Sequence, residues 1–101
     1  MPAYCIFDTR DILDETGLDT YRERVRGIVE QHGGLYLFIG GRFEVVEGDW
    51  HPTFPILIEF PSLEHAHRWY DSEEFHELKE VRLRAFRSDA VFMEGVMDRL
   101  R

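Results

Sequence analysis

The chain has one cysteine, one lysine and no long apolar run. A lone Cys5 cannot form an intrachain disulfide, so folding rests on packing alone, and a reducing cytoplasm is the simplest compartment. No window approaches the ~18 consecutive apolar residues of a transmembrane helix, which excludes that class. Met1-Pro2-Ala3-Tyr4-Cys5-Ile6-Phe7 lacks a basic stretch ahead of its apolar residues, and no signal peptide is expected. Positive charge is also scarce, with 12 Lys and Arg against 20 Asp and Glu and a formal net charge of −8. Such a chain repels phosphate, so neither nucleic acid nor an anionic membrane is expected as its partner without a local basic cluster. The densest basic stretches, Arg22 to Arg26 and Arg82 to Arg87, are interrupted or flanked by Glu23, Glu30, Glu77 and Glu80. Neither carries the interleaved exposed aromatics of a single-strand platform.

What is present is a globular composition, 44% hydrophobic and 14% aromatic over 101 residues, enough for one domain spanning 1–101. Residues 3–7 alternate as a first strand, with Ala3, Cys5 and Phe7 on one face and Tyr4 and Ile6 on the other. The polar run from Asp8 to Gly17 breaks that pattern. Leu18, Tyr21, Val25, Ile28 and Val29 then recur at helical spacing, and Gly33-Gly34 stops the helix. Residues 35–39 make a second strand, Gly40-Gly41 permits a bulge or bend, and 43–46 resume extended structure before a turn at 47–52. The third strand covers 56–60. Ser62 caps a helix that turns Leu63, Ala66, Trp69 and Tyr70 inward. Asp71 or Ser72 re-caps a second piece burying Phe75, Leu78 and Ala85 or Phe86, which ends at Ser88-Asp89 ahead of a fourth strand at 90–94. The order β-α-β-β-α-β predicts a ferredoxin-like α+β sandwich, a four-stranded antiparallel sheet with its helices on one face. The alternation leaves the other face apolar, and a homodimer through that face would bury it.

Several segments are familiar in their order: His32-Gly33-Gly34-Leu35-Tyr36-Leu37, Glu47-Gly48-Asp49-Trp50, Ile58-Glu59-Phe60-Pro61, Trp69-Tyr70-Asp71-Ser72, Arg82 and Met93-Glu94-Gly95-Val96. Together they resemble domain-of-unknown-function family 1330, within the dimeric α+β barrel superfamily. The resemblance implies a ferredoxin-like protomer and a sheet-to-sheet dimer, but no activity. Members of that superfamily include cofactor-free monooxygenases, haem-handling proteins, isomerases and sensor domains, an analogy of fold alone. Relatives often carry Arg where Ile39 and Phe54 stand; if those bind an anion, this protein either lacks that ligand or uses Arg42 or Arg82 instead.

Arg82 falls on the apolar stripe of the second helical piece, where a guanidinium needs a carboxylate or a bound anion. It is either a clamp for a small anionic ligand, or one half of a structural ion pair with Glu59 or Asp49, or a side chain snorkelling to water. Glu59 is a candidate general base if burial raises its pKa, or an ion-pair partner. His32 ends the first helix, where it either caps carbonyls or moves protons. Trp50 folds over the core or lines a ligand or dimer surface, and Tyr70 offers its hydroxyl to a pocket at the helix–sheet junction. His65 and His67 lie two apart on a helix, ~200° around its axis, and cannot share an ion; no metal and no cofactor are expected.

These residues predict a homodimer with one small pocket per protomer between sheet and helices, taking a small organic acid or aromatic metabolite. Arg82 and Arg42 are the candidate anion ligands, Trp50 and Tyr70 the candidate walls, and Glu59 or His32 the candidate proton carriers for cofactor-free proton transfer or oxygenation. The contrasting expectation is a non-catalytic structural or stress-associated dimer in which every polar residue is structural. Arg82 separates them, since a clamp lacks a protein carboxylate and a structural arginine has one.

Overall fold

In the computed structural model, which describes residues 1–96, the alternating segment at the N-terminus becomes the strand around which everything else is arranged. This strand, β1 (Ala3–Ile12), is followed by α1 (Glu15–Gln31), β2 (Leu35–Ile39), β3 (Pro55–Phe60), α2 (Leu63–Tyr70), α3 (Glu73–Ala85) and β4 (Phe86–Glu94). The sheet order is β2-β3-β1-β4 with every neighbouring pair antiparallel, the ferredoxin-like arrangement expected from the order of elements. The helices cover one face. Cys5, Phe7, Ile58 and Phe60 point from the sheet into a core with Val25, Val29, Trp69, Phe75 and Leu78. Trp69 is fully buried, stacked on Phe60 at 5.6 Å and edge-on to Phe7 at 5.8 Å.

The helix boundaries follow from local chemistry. Ser62 and Ser72 cap α2 and α3 by accepting the backbone N–H groups of His65 and Phe75. A cap of this kind is worth ~1 kcal/mol. Gly33, at φ +87°, takes the left-handed turn that leads out of α1, where a side chain would be strained.

Three segments differ from the sequence expectation. β1 continues past Asp8 to Ile12, because Thr9 pairs with Ser88 and, beyond a bulge, Asp11 and Ile12 pair with Arg87 and Phe86. β4 correspondingly starts at Phe86, so Ser88-Asp89 lie within a strand and do not terminate a helix. Residues 43–46 are not a strand. They belong to a loop closed at its base by the Gly40 N–H donating to the Pro55 carbonyl. Asp8, only 2% exposed, explains both the missed boundary and the loop: its Oδ1 accepts the N–H groups of Thr53 and Phe54 at 2.9 and 2.8 Å. A polar residue that satisfies two buried donors sits comfortably inside a strand. The sheet bulge falls at Leu37, between the Tyr36 and Phe38 pairings, and Gly40-Gly41, at φ +66° and +109°, make the bend expected of them.

Candidate functional site

The sheet and α1 do not close completely on one another. Between them lies a cavity of about 520 Å³, inside the ~300–1,000 Å³ range of small-molecule sites. Its floor comes from β1, β3 and β4 through Phe7, Thr9, Ile56, Ile58, Phe86 and Ser88, and β2 adds Tyr36 and Ile39. The α1 residues Leu18, Tyr21, Arg22, Val25 and Arg26 cover it, at the spacing that puts one side of a helix against a sheet. Phe54, Trp69 and Arg82 complete the lining. Arg22, Arg26 and Ile39 are exposed and mark the side that reaches solvent.

Arg82 is 5% exposed and lines this cavity from α3. Its Nη2 donates to Ser88 Oγ at 2.6 Å, and its guanidinium stacks over the rings of Phe7 and Phe86 at 5.1 and 5.8 Å. Among the described residues it has no carboxylate partner. Cation–π contact returns about 0.5–2 kcal/mol per ring, less than the several kcal/mol that burying an unpaired charge costs. The group therefore keeps unused donors in a low-dielectric wall.

Among the described residues no Asp, Glu, His or Cys lines the cavity. Its titratable hydroxyls are neutral at ordinary pH. Burial pushes the Tyr21 phenol upward against the opposing pull of Arg82, and burial pushes Tyr36 up to about 12 against Arg26. Both rings therefore present O–H donors. The buried Trp69 Nε1 has no hydrogen-bond partner among the described residues.

The other candidates lie apart from Arg82. His32 caps α1, its Nδ1 2.9 Å from the Ile28 carbonyl and its Nε2 4.0 Å from Glu74. Glu59 sits on the opposite sheet face, in register with Tyr4 and Leu35. Trp50 is on that face too, beside Ile6, Val91 and Met93. Tyr70 packs on Phe75 and Phe92 at 5.8 and 5.6 Å, with Lys79 Nζ 4.2 Å over its ring. Arg42 is solvent-exposed, 3.7 Å from Glu44. None of these five lines the cavity, and the walls are formed instead by Tyr21, Tyr36, Phe54 and Trp69. Arg22 and Arg26 follow Leu18 at four and eight residues, a signal legible as one helix side. Thr9 and Ser88 could not be found without the true ends of β1 and β4. Among the described residues no group of three or more His, Cys, Asp or Glu is placed to hold a metal, and no helix is long and apolar enough to cross a membrane.

A four-stranded sheet, one helical face and a cationic cavity between them define a ferredoxin-like α+β protein with the geometry of a small-molecule site. The chain belongs to the family described as domain of unknown function (DUF1330), which matches residues 2–96. Among solved structures it is similar to the RPA0582 protein of unknown function from Rhodopseudomonas palustris, at 16% identity and TM-score 0.73, covering 96% of this chain and 84% of that one. It is similar to a dimeric ferredoxin-like protein of unknown function from Bacteroides fragilis, at 12% identity and TM-score 0.61, covering 93% and 96%. It is also similar to SnoaB, a cofactor-independent oxygenase from Streptomyces nogalater, at 8% identity and TM-score 0.58, covering 99% and 96%. At these identities the likeness is one of fold. No curated protein matches the chain.

Proposed function

We propose that the protein is a small-molecule-binding homodimer whose cavity takes a compact, largely apolar organic acid as its anion, held by Arg82. One observation carries this reading: a buried guanidinium without a carboxylate partner among the described residues, set in an aromatic cavity of about 520 Å³. The bound acid would supply the counter-charge that the protein does not, and a planar fork of donors suits a carboxylate. A purely structural dimer, with Arg82 locked in an ion pair, is disfavoured by the same observation.

Cofactor-free oxygenation, the activity named for SnoaB, would also use an anionic substrate, an enolate or phenolate, beside Arg82. Among the described residues the lining offers no carboxylate or imidazole to generate that anion, and the distant positions of His32 and Glu59 do not supply one. Binding of an acid already ionised in solution is therefore the reading favoured over proton abstraction. The dimer is supported by the exposed apolar residues Leu35, Phe38, Val91 and Met93 on the helix-free face and by the dimeric neighbour from Bacteroides fragilis.

The test is calorimetric titration of naphthoate and of its uncharged alcohol analogue against wild type and Arg82→Gln. Naphthoate affinity should fall at least about tenfold, ~1.4 kcal/mol, with the alcohol unchanged and the melting temperature not lowered. Equal losses for both probes, or a variant destabilised by several kcal/mol, would instead make Arg82 a structural residue.

A further inference from the structure

The cavity carries guanidinium groups on both of its halves. On one half Arg82 stands over the β1–β4 pair, stacked on Phe7 and Phe86 and bonded to Ser88. On the other half Arg22 reaches from α1 over Phe54, at the start of β3, with its guanidinium carbon 5.7 Å from the ring centroid. Arg26, one turn further, stacks at 5.7 Å over Tyr36 of β2. In the order β2-β3-β1-β4 the strands β3 and β1 are neighbours, so the two groups lie one to two strand spacings apart, ~5–10 Å across the sheet. Between them the walls are apolar: Val25, Ile56 and Ile58.

The two halves differ in what neutralises them. Arg26 has Glu30 at 3.4 Å, whereas Arg22, like Arg82, has no carboxylate partner among the described residues. Among the described residues no acidic side chain stands in this lining. Stacking on a ring occupies the face of a guanidinium and leaves its in-plane N–H edge free, the edge that grips a carboxylate bidentately. The walls between them, Val25, Ile56 and Ile58, are aliphatic and suit an apolar body.

We infer that the ligand class is a diacid, with one carboxylate on Arg82 at the buried half, the other on Arg22 at the open half, and an apolar body between them. This rests on the reading of Arg82 as an anion clamp and adds to it a second anchor and a direction of entry. Arg22, exposed to water, meets the ligand last and holds its outer end, and Arg26 stays with Glu30.

The experiment titrates two monoacids, benzoate and naphthoate, and their diacids, terephthalate and the 2,6-naphthalene dicarboxylate, against wild type, Arg22→Gln and Arg82→Gln. At least one diacid should bind wild type ten or more times tighter than its monoacid. Arg22→Gln should remove that advantage while leaving monoacid affinity within about twofold, and Arg82→Gln should weaken both kinds. Diacids that bind wild type no tighter than monoacids overturn the inference and leave the Arg82 site intact. So does an Arg22→Gln variant that weakens mono- and diacids alike, because general electrostatic attraction then suffices. Unchanged affinity of all four probes in Arg82→Gln removes the Arg82 site and the diacid inference together.

Discussion

Cys5 sits fully buried in the central strand, and burial pushes its thiol from 9.0 up to about 12. The folded state therefore holds that proton more tightly than the unfolded chain does. Its contribution to stability is complete below pH 9.0 and is lost as pH rises toward about 12. Each pH unit in that window costs up to about 1.4 kcal/mol for such a group. Tyr36, raised from 10.0 to about 12 by burial, adds the same sign of effect at the upper end. Thermal melts across this range should show a steep alkaline loss in wild type and a shallower one in Cys5→Ala, whose neutral-pH stability is lower only by its lost packing. Parallel slopes for the two proteins would mean that the folded thiol ionises as readily as the unfolded one and that burial does not raise it. At the same scale, Gly40 has φ +66° and a Cβ there would lie 2.5 Å from the Phe54 ring. Gly40→Ala should thus displace Phe54 and weaken naphthoate binding severalfold in the same titration.

The elements that carry the site are only as well placed as their caps. Ser72 starts α3, the helix that delivers Arg82, and its Oγ both accepts the Phe75 N–H at 3.2 Å and donates to the Trp69 carbonyl at 2.8 Å. Ser72→Ala should lower stability by about 1 kcal/mol in urea denaturation, without changing the slope of the transition. The Ser62 cap and the inward positions Phe75, Leu78 and Arg82 are legible in the sequence, because capping and helical spacing are local properties; the structure decides for Ser72 over Asp71 as the second cap and ends the helix at Ala85. The ends of β1 and β4 are not legible there, since they are fixed by pairing between strands at opposite ends of the chain. That pairing hides polar residues such as Asp8, Thr9 and Ser88 inside strands, where composition alone reads a loop. The cavity walls were misjudged for a related reason. Tyr70 has the helical position of a pocket residue, yet Phe75 and Phe92 fill the space around its ring. Trp50 was placed in a loop, but no local rule tells which face of a sheet a loop folds back upon.

For the whole molecule the decisive surface is the face without helices. Leu35, Phe38, Val91 and Met93 are each roughly half exposed on it, and Trp50 joins them beside Ile6. Apolar surface of this extent on a small protomer fits a contact, and the proposed homodimer would bury it against the same residues of a second copy across a two-fold axis. Native mass spectrometry should give the mass of two chains. Val91→Arg, opposite Ile6 in the β1–β4 ladder, should shift the population to one chain while retaining helical circular dichroism. A dimer that survives this charge would put the contact elsewhere.

The central position of β1 has one more consequence, for the order of assembly. Its two neighbours are β3 and β4, so Ala3 meets Phe60 on one side and Glu94 on the other. Of the four described strands, the first to be synthesised is thus completed by the last. Until β4 emerges, β1 presents a bare edge of amide and carbonyl groups, a template for pairing with other chains. Closing so long a loop is slow compared with forming the helices between. During synthesis, the interval in which the chain is most exposed to misassembly is the one that ends when Phe86 to Glu94 find Ala3 to Ile12.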